Sequence, residues 1–346
     1  MQIPKLLSLA LLGAATGLAQ QAPTKVVTTL PYLASLAREI GGDEVVVESL
    51  GAPGLDPHFI QPTPGLSVRL AEAEAFIENG MSLELWSERV IDGARNQAIR
   101  PGFPGHVFAA MGIQALQVPR QATRASGDVH LAGNPHVWLD PLNLKRLAVN
   151  VEQCLARVRP QAAEAFAKNR AAFEARLDEA LYGAELVKLL GAPTLNKLQR
   201  RGALYDFLRG KQFRGKPLLE RIGGWHARAL ALQGAPIFSY HQVWTYFSAA
   251  FGIEVAGTIE EKPGIPPSPG HLQQLQEIAK ARGVKVVVCA PFYPFSRAEG
   301  VAEQIGGAAI LLPTQPGEVD EATDLFSLYD AIFSRLEGAS GKGAGR

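Results

Sequence analysis

Cysteine is nearly absent from this chain: Cys154 and Cys289 are the only two in 346 residues. Cys154 falls in a helical pattern and Cys289 in the apolar strand pattern VKVVVCA, so two buried, inert thiols are expected in preference to a disulfide. An excess of either charge is missing as well. Thirty-four Lys+Arg balance 33 Asp+Glu, a formal net charge of +1. That removes the electrostatic case for nucleic acid, whose binding normally leaves a basic excess or stripe. Charged residues make up only 19% while hydrophobic ones reach 47%, the reverse of a disordered chain. Long apolar runs are lacking except at the start, where LLSLALLGAA (6–15) follows Lys5. The run is shorter than the ~20 residues of a membrane helix. It has the length of a signal-peptide core, with Gly17 and Ala19 placed for cleavage. Residues 1–19 are therefore expected to be a signal peptide. No cysteine follows the run, so a secreted, periplasmic protein without a lipid anchor is expected.

Short β-branched or apolar runs alternate with helical patterns in both halves. KVVTTL (25–30), EVVVESL (44–50) and AFIEN (75–79) read as strands in the first half, and 235–241, 253–260, 284–290 and 308–313 in the second. Helical patterns lie between them at 32–40, 66–73, 83–94, 243–251, 271–282 and 298–305, with 325–336 closing the chain. This βαβα rhythm predicts parallel sheets wrapped by helices. Between the halves the pattern is purely helical. Asp140-Pro141 opens one helix with Leu144, Leu147, Val151 and Leu155 on one face, and Pro160 opens another that can run to about Leu190. The stretch 194–224 is basic and reads as a solvated insertion. The expected organisation is an N-terminal α/β lobe (20–141), linking helices (142–192), the basic insertion and its connection (193–234), and a C-terminal α/β lobe (235–346).

Histidine is scarce enough for its seven positions to be weighed one by one. His106 follows Pro104-Gly105 in a loop, His226 sits at a helix start beside Trp225, and His271 lies in the first turn of a helix. All three have ordinary explanations. His58 stands in the proline-stiffened loop GAPGLDPHFIQPTPG, which lowers the entropy lost when a side chain is held for a ligand. His136 stands in GNPHVWLDP, just before the helix that Asp140 begins. His241 ends a strand, where ligands gather in open α/β sheets. These three imidazoles could meet in a cleft between lobes, and neutral imidazole suits zinc. His130, in SGDVHLAGNPH, reads as a mobile loop residue and only secondarily as a spare ligand.

At these residues the sequence resembles the metal-specific solute-binding proteins of ABC-type zinc and manganese importers. The pieces that carry the resemblance are DPHFIQPTP (56–64), ENGMSLELW (78–86), GNPHVWLDP (133–141), YHQVWTYFSAAFGIEV (240–255) and PSPGHLQQL (267–275). The resemblance implies two Rossmann-like lobes joined by a long rigid helix, with one metal ion between them. It places His58, His136 and His241 on the family's ligand positions. Histidine rather than glutamate at 241 points to Zn2+ and makes Mn2+ the alternative. The resemblance also implies that the loaded protein docks on an ABC-type membrane permease. Two departures are visible. The segment 120–134 holds one histidine where many zinc-binding members carry a histidine-rich loop, and Thr314 stands where the family's fourth ligand is usually an aspartate. Glu260, at the carboxyl end of a predicted strand, is the expected fourth ligand, with Glu318, Asp320 and water as alternatives.

The expected function is capture of Zn2+ by a monomer and its delivery for import, without enzymatic activity. A secreted zinc hydrolase is the rival from another class, since three histidines and an open position form a catalytic pattern. It is disfavoured because HExxH is absent and no general base is evident beside the histidines.

Overall fold

The computed structural model describes residues 22–119, 130–262 and 264–341. The expected signal peptide, and most of the 120–134 segment, lie outside them. Every run read as a strand forms one, mostly shortened by a residue or two at its ends, although β1 begins one residue earlier at Thr24. The first sheet contains β1 (Thr24–Thr28), β2 (Val45–Ser49), β3 (Ala75–Glu78) and β4 (His106–Phe108), in the order β2-β1-β3-β4 and all parallel. β4 was not expected. Three residues carrying a histidine after Pro-Gly give no periodic signal, and the strand exists because β3 offers it a parallel edge.

The helices of this lobe are α1 (Pro31–Gly41), α2 (Pro64–Ala71) and α3 (Ser87–Ala94). α3 starts four residues later than its pattern, because residues 83–86 form an irregular turn. α1 buries nearly its whole length, including Tyr32, Leu33, Leu36 and Ile40.

The helices α4 (Pro141–Val158) and α5 (Ala163–Tyr182) then link the halves. Asp140 caps α4, its carboxylate accepting from the Leu142 N–H at 2.9 Å, and Pro141 occupies the first turn. The apolar face of α4 is the predicted one: Leu144, Leu147, Val151 and Leu155 are fully buried. α5 stops at Tyr182 and does not run on to Leu190. Gly183 has φ 82°, and a Cβ there would stand 2.8 Å from the Gly223 Cα. Two backbones touch at this point, which only glycine permits.

The chain restarts as α6 (Ala184–Leu190), α7 (Ala192–Arg200) and α8 (Leu204–Gly210), followed by the small hairpin β5 (Gln212–Phe213) and β6 (Lys216–Pro217). The expected solvated insertion is therefore mostly helical. Leu195, Leu204, Leu208 and Leu218 are buried in the main hydrophobic core, because an amphipathic helix lowers its free energy by turning its apolar side onto an existing core.

α9 (Gly224–Leu232) leads into the second sheet: β7 (Ile237–Ser239), β8 (Val255–Thr258), β9 (Val286–Cys289) and β10 (Ala308–Leu311), parallel in the order β10-β9-β7-β8. Read from its own first strand, this order is the same as in the first sheet. The accompanying helices are α10 (Thr245–Phe251), α11 (Pro269–Arg282), α12 (Phe295–Gln304) and α13 (Leu325–Ala339). α11 starts and stops where its sequence signals say. The Ser268 hydroxyl accepts from the His271 N–H at 3.2 Å, and Gly283 ends the helix with φ 72°. Cys154 and Cys289 are free and buried, as expected, and burial pushes the thiol of Cys154 up to about 11.

Candidate metal centre

His58, His136 and His241 arrive from three separate places. His58 stands in the loop after β2, His136 in the turn before α4, and His241 directly after β7. One nitrogen from each lies within 4.8 Å of the other two. The ring centroids are 5.3 Å apart for His58 and His136, and 5.7 Å from each of these to His241. Among the described residues this is the one group of three or more His, Cys, Asp or Glu with such convergence. The first lobe supplies two ligand candidates and the second lobe one.

Each ring is held at Nδ1 by an oxygen. Asp56 accepts from His58 Nδ1 at 2.7 Å, Asn134 from His136 Nδ1 at 2.9 Å, and Glu260 from His241 Nδ1 at 2.7 Å. A ring that donates from Nδ1 is the tautomer whose lone pair sits on Nε2. The Nε2 atoms of His58 and His136 are buried and have no hydrogen-bond partner. Buried polar atoms are normally satisfied, so an orphaned pair aimed into one cluster points to an electron-pair acceptor.

The first two supports are copies of one local device. Asp56-Pro57-His58 and Asn134-Pro135-His136 each place an Asx side chain two residues before the histidine. The Asx oxygen accepts from both the backbone N–H of the histidine, at 3.0 Å in each case, and its ring. This is an Asx turn stiffened by proline. The backbones around it are pinned in turn. Trp86 Nε1 donates to Pro57 O at 2.9 Å, and Asn79 Nδ2 donates to Pro135 O at 3.1 Å. Because the Oδ1 of Asn134 is occupied, its Nδ2 donates outward, to Gln242 O at 2.7 Å, Gln117 Oε1 at 2.9 Å and Thr245 Oγ1 at 3.1 Å. Asn134 thus joins the His136 turn to the segment just after His241 in the other lobe.

Burial keeps the His136 imidazole neutral. His136 is 2% exposed. Its pKa lies well below the usual histidine value, first because burial disfavours the cation and then because the other histidines are near.

The remaining sequence candidates fall elsewhere. Glu260 is outside the converging group, at the Nδ1 edge of His241, where its carboxylate also accepts from the Gly264 N–H at 3.3 Å. Thr314 is buried, with its N–H and hydroxyl both turned to the Glu318 carboxylate. Desolvation pushes that carboxylate up to about 7. Asp320 is exposed. His130 departs from its reading as a mobile loop residue, because its ring lies 5.1 Å from that of His58 and its Nδ1 donates to Ser82 O at 3.1 Å.

His106, His226 and His271 are outside the converging group. His106 opens β4 and does not lie in a loop, whereas His226 and His271 sit at helix starts as expected. His106 bonds Glu78 at 2.6 Å, His226 stacks on Tyr182, and His271 reaches Thr258 O at 2.8 Å. The sequence reading missed Asp56 and Asn134 as supports. Their signal was the repeated Asx-Pro-His spelling inside motifs already singled out.

Comparison with known proteins gives a consistent picture. A family model described as zinc-uptake complex component A, periplasmic, matches residues 26–182 and 218–339. An iron-binding protein, YfeA, of Yersinia pestis is 32% identical over 176 residues, 51% of this chain and 49% of that protein. The high-affinity zinc uptake system protein ZnuA of Bacillus subtilis (strain 168) is 22% identical over 303 residues, 86% of this chain and 81% of that protein. The chain spans about half the length or less of the first curated relatives it matches. Among solved structures, a zinc-bound ZnuA deletion mutant superposes with a TM-score of 0.66 at 22% identity, covering 94% of this chain and all of that one. At that identity the likeness speaks for the fold of two α/β lobes.

Proposed function

The chain belongs to the periplasmic zinc-uptake component A family, and from that premise we propose that it captures Zn2+ as a monomer and delivers it to an ABC-type permease. The family is one of solute-binding transport proteins, and relatives carry zinc, manganese or iron in their names. The observation that carries the proposal is the convergence of three imidazoles whose Nδ1 atoms are all committed to oxygen acceptors. Such a set offers three neutral nitrogen donors from Nε2, the chemistry that zinc takes at about 2.0–2.1 Å in tetrahedral sites.

Zinc is favoured over manganese by what the carboxylates do. Manganese prefers oxygen donors, yet Asp56 and Glu260 are engaged with ring N–H groups rather than turned to the centre. In this reading Glu260 holds His241 in position, and water completes the tetrahedron. The ion joins two ligands of the first lobe to one of the second, so its capture ties the lobes together.

Calorimetric titration with Zn2+ tests the reading. His136→Ala is expected to weaken binding by at least about a hundredfold, because a three-nitrogen site loses one of its donors. An unchanged affinity would remove the site. Glu260 is tested by two variants. Gln keeps an oxygen for the His241 ring and is expected to cost less than tenfold, while Ala should cost about 10–100-fold. If Gln costs as much as Ala, Glu260 is a ligand and not a support.

A further inference from the structure

The basic stretch that no part of the metal centre uses is concentrated on one projection. Residues 194–224 hold eight Lys or Arg against Asp206 and Glu220, a formal +6 within a chain of +1, so the rest of the chain carries −5. Most of it, up to Pro217, falls in the gap between the two segments matched by the family model.

The structure sorts these cations. The hydrophobic side of α7 and α8 is anchored in the core, and the β5–β6 hairpin stands at the outer end with Lys211, Arg214 and Lys216 exposed. Its two-residue turn, Arg214-Gly215, is left-handed at both positions, with φ 51° and 79°, the geometry of a tight hairpin. Phe213 packs half-buried against the core, covered by the guanidinium groups of Arg214 and Arg221 at 5.2 and 5.1 Å from its ring centre. Arg209 pairs with Asp206 at 2.9 Å, Arg221 with Glu185, and Lys216 more loosely with Glu220 at 3.8 Å. All are at exposed or partly exposed positions where such pairs contribute little, while Lys211 and Arg214 make no ion pair among the described residues.

We propose that this basic hairpin is a docking surface for a bilayer of anionic phospholipid headgroups. A cluster of exposed basic residues suits a negatively charged interface. The negative charge on the rest of the chain is repelled by the same surface, so the hairpin sets the orientation of approach. The inference is independent of the cargo assigned above.

Flotation of the mature chain with vesicles tests it. Binding is expected to phosphatidylcholine vesicles containing about one third phosphatidylglycerol, to weaken steeply with added salt, and to be absent with phosphatidylcholine alone. Each basic residue near such a surface is worth about fivefold, so the triple variant Lys211→Gln/Arg214→Gln/Lys216→Gln should bind about a hundredfold more weakly. These side chains are exposed, and an unchanged far-UV circular dichroism spectrum and thermal transition report that the variant is folded. The proposal is overturned if the wild type fails to bind, binds both vesicles equally, prefers a duplex oligonucleotide to the anionic vesicles, or if the folded variant binds as the wild type does.

Discussion

Two of the three converging histidines are oriented through the residue two places before them. Asx-Pro-His solves two problems at once: the side-chain oxygen closes a turn on the backbone, and the same oxygen fixes which ring nitrogen carries the proton. Asn134 adds a third task, because its amide nitrogen reaches the opposite lobe. Asp at this position would keep the acceptor for His136 but turn oxygen toward the Gln242 carbonyl and Gln117 Oε1. Asn134→Asp is therefore expected to fall below Asn134→Ser in zinc affinity, although Asp is nearly isosteric, by about tenfold or more. Competition titration against a chelating dye measures the order, and the reverse order would mean that the contact between lobes is idle.

Acidity acts at the same scale. A proton and a metal ion compete for each Nε2, so affinity must fall as pH falls. Burial depresses the pKa of His136, so that ring keeps its lone pair to lower pH than an exposed imidazole would. Titrations are expected to weaken below about pH 6 and to be flat above about pH 7. An affinity that rises on acidification would contradict nitrogen ligation.

Helices with complete local signals were the most legible elements. Asp140-Pro141 and Ser268-Pro269 with Gly283 each specify a boundary through a side chain that caps and a ring that cannot continue a helix backwards. Strands with β-branched runs were legible for the same local reason. β4 was not, because its pairing partner supplies what its own residues lack. The break after Tyr182 was hidden too, since Gly183 is read locally as a helix tolerating a glycine and only its contact with Gly223 explains the stop.

The basic insertion illustrates the opposite error. Its charges are conspicuous in the sequence, and its leucines are what the fold uses. Leu208→Ala on α8 is expected to lower stability by about 3 kcal/mol, as for other fully buried leucines, whereas Arg214→Ala at the hairpin turn should change it by less than about 0.5 kcal/mol. Chemical denaturation checks both. If the two variants are equally stable, the segment does not belong to the core.

At the scale of the molecule, the three ligand candidates were readable because each sits at the end of an element, where parallel α/β sheets present their loops. The role of Glu260 was not readable. A carboxylate at a strand end can face a cleft or a neighbouring ring, and nothing in the local sequence says that Glu260 lies against the Nδ1 of His241. With ligands drawn from both lobes, a bound ion adds its affinity to the stability of the whole. Saturating Zn2+ at about a thousand times Kd is expected to stabilise the chain by about 4 kcal/mol. A thermal scan with and without chelator reads this as a single transition moving upward. Two transitions, with one unaffected by metal, would mean that one lobe unfolds independently of the site.

The way the rings are held also sets the electrical balance of a loaded centre. Two of the three acceptors, Asp56 and Glu260, are formally anionic carboxylates, and the imidazoles they hold already carry their protons on the nitrogen that faces away from the ion. A dication entering such a site meets two compensating charges, so the filled centre is formally neutral. The cargo would therefore travel as an electrically silent load inside its carrier.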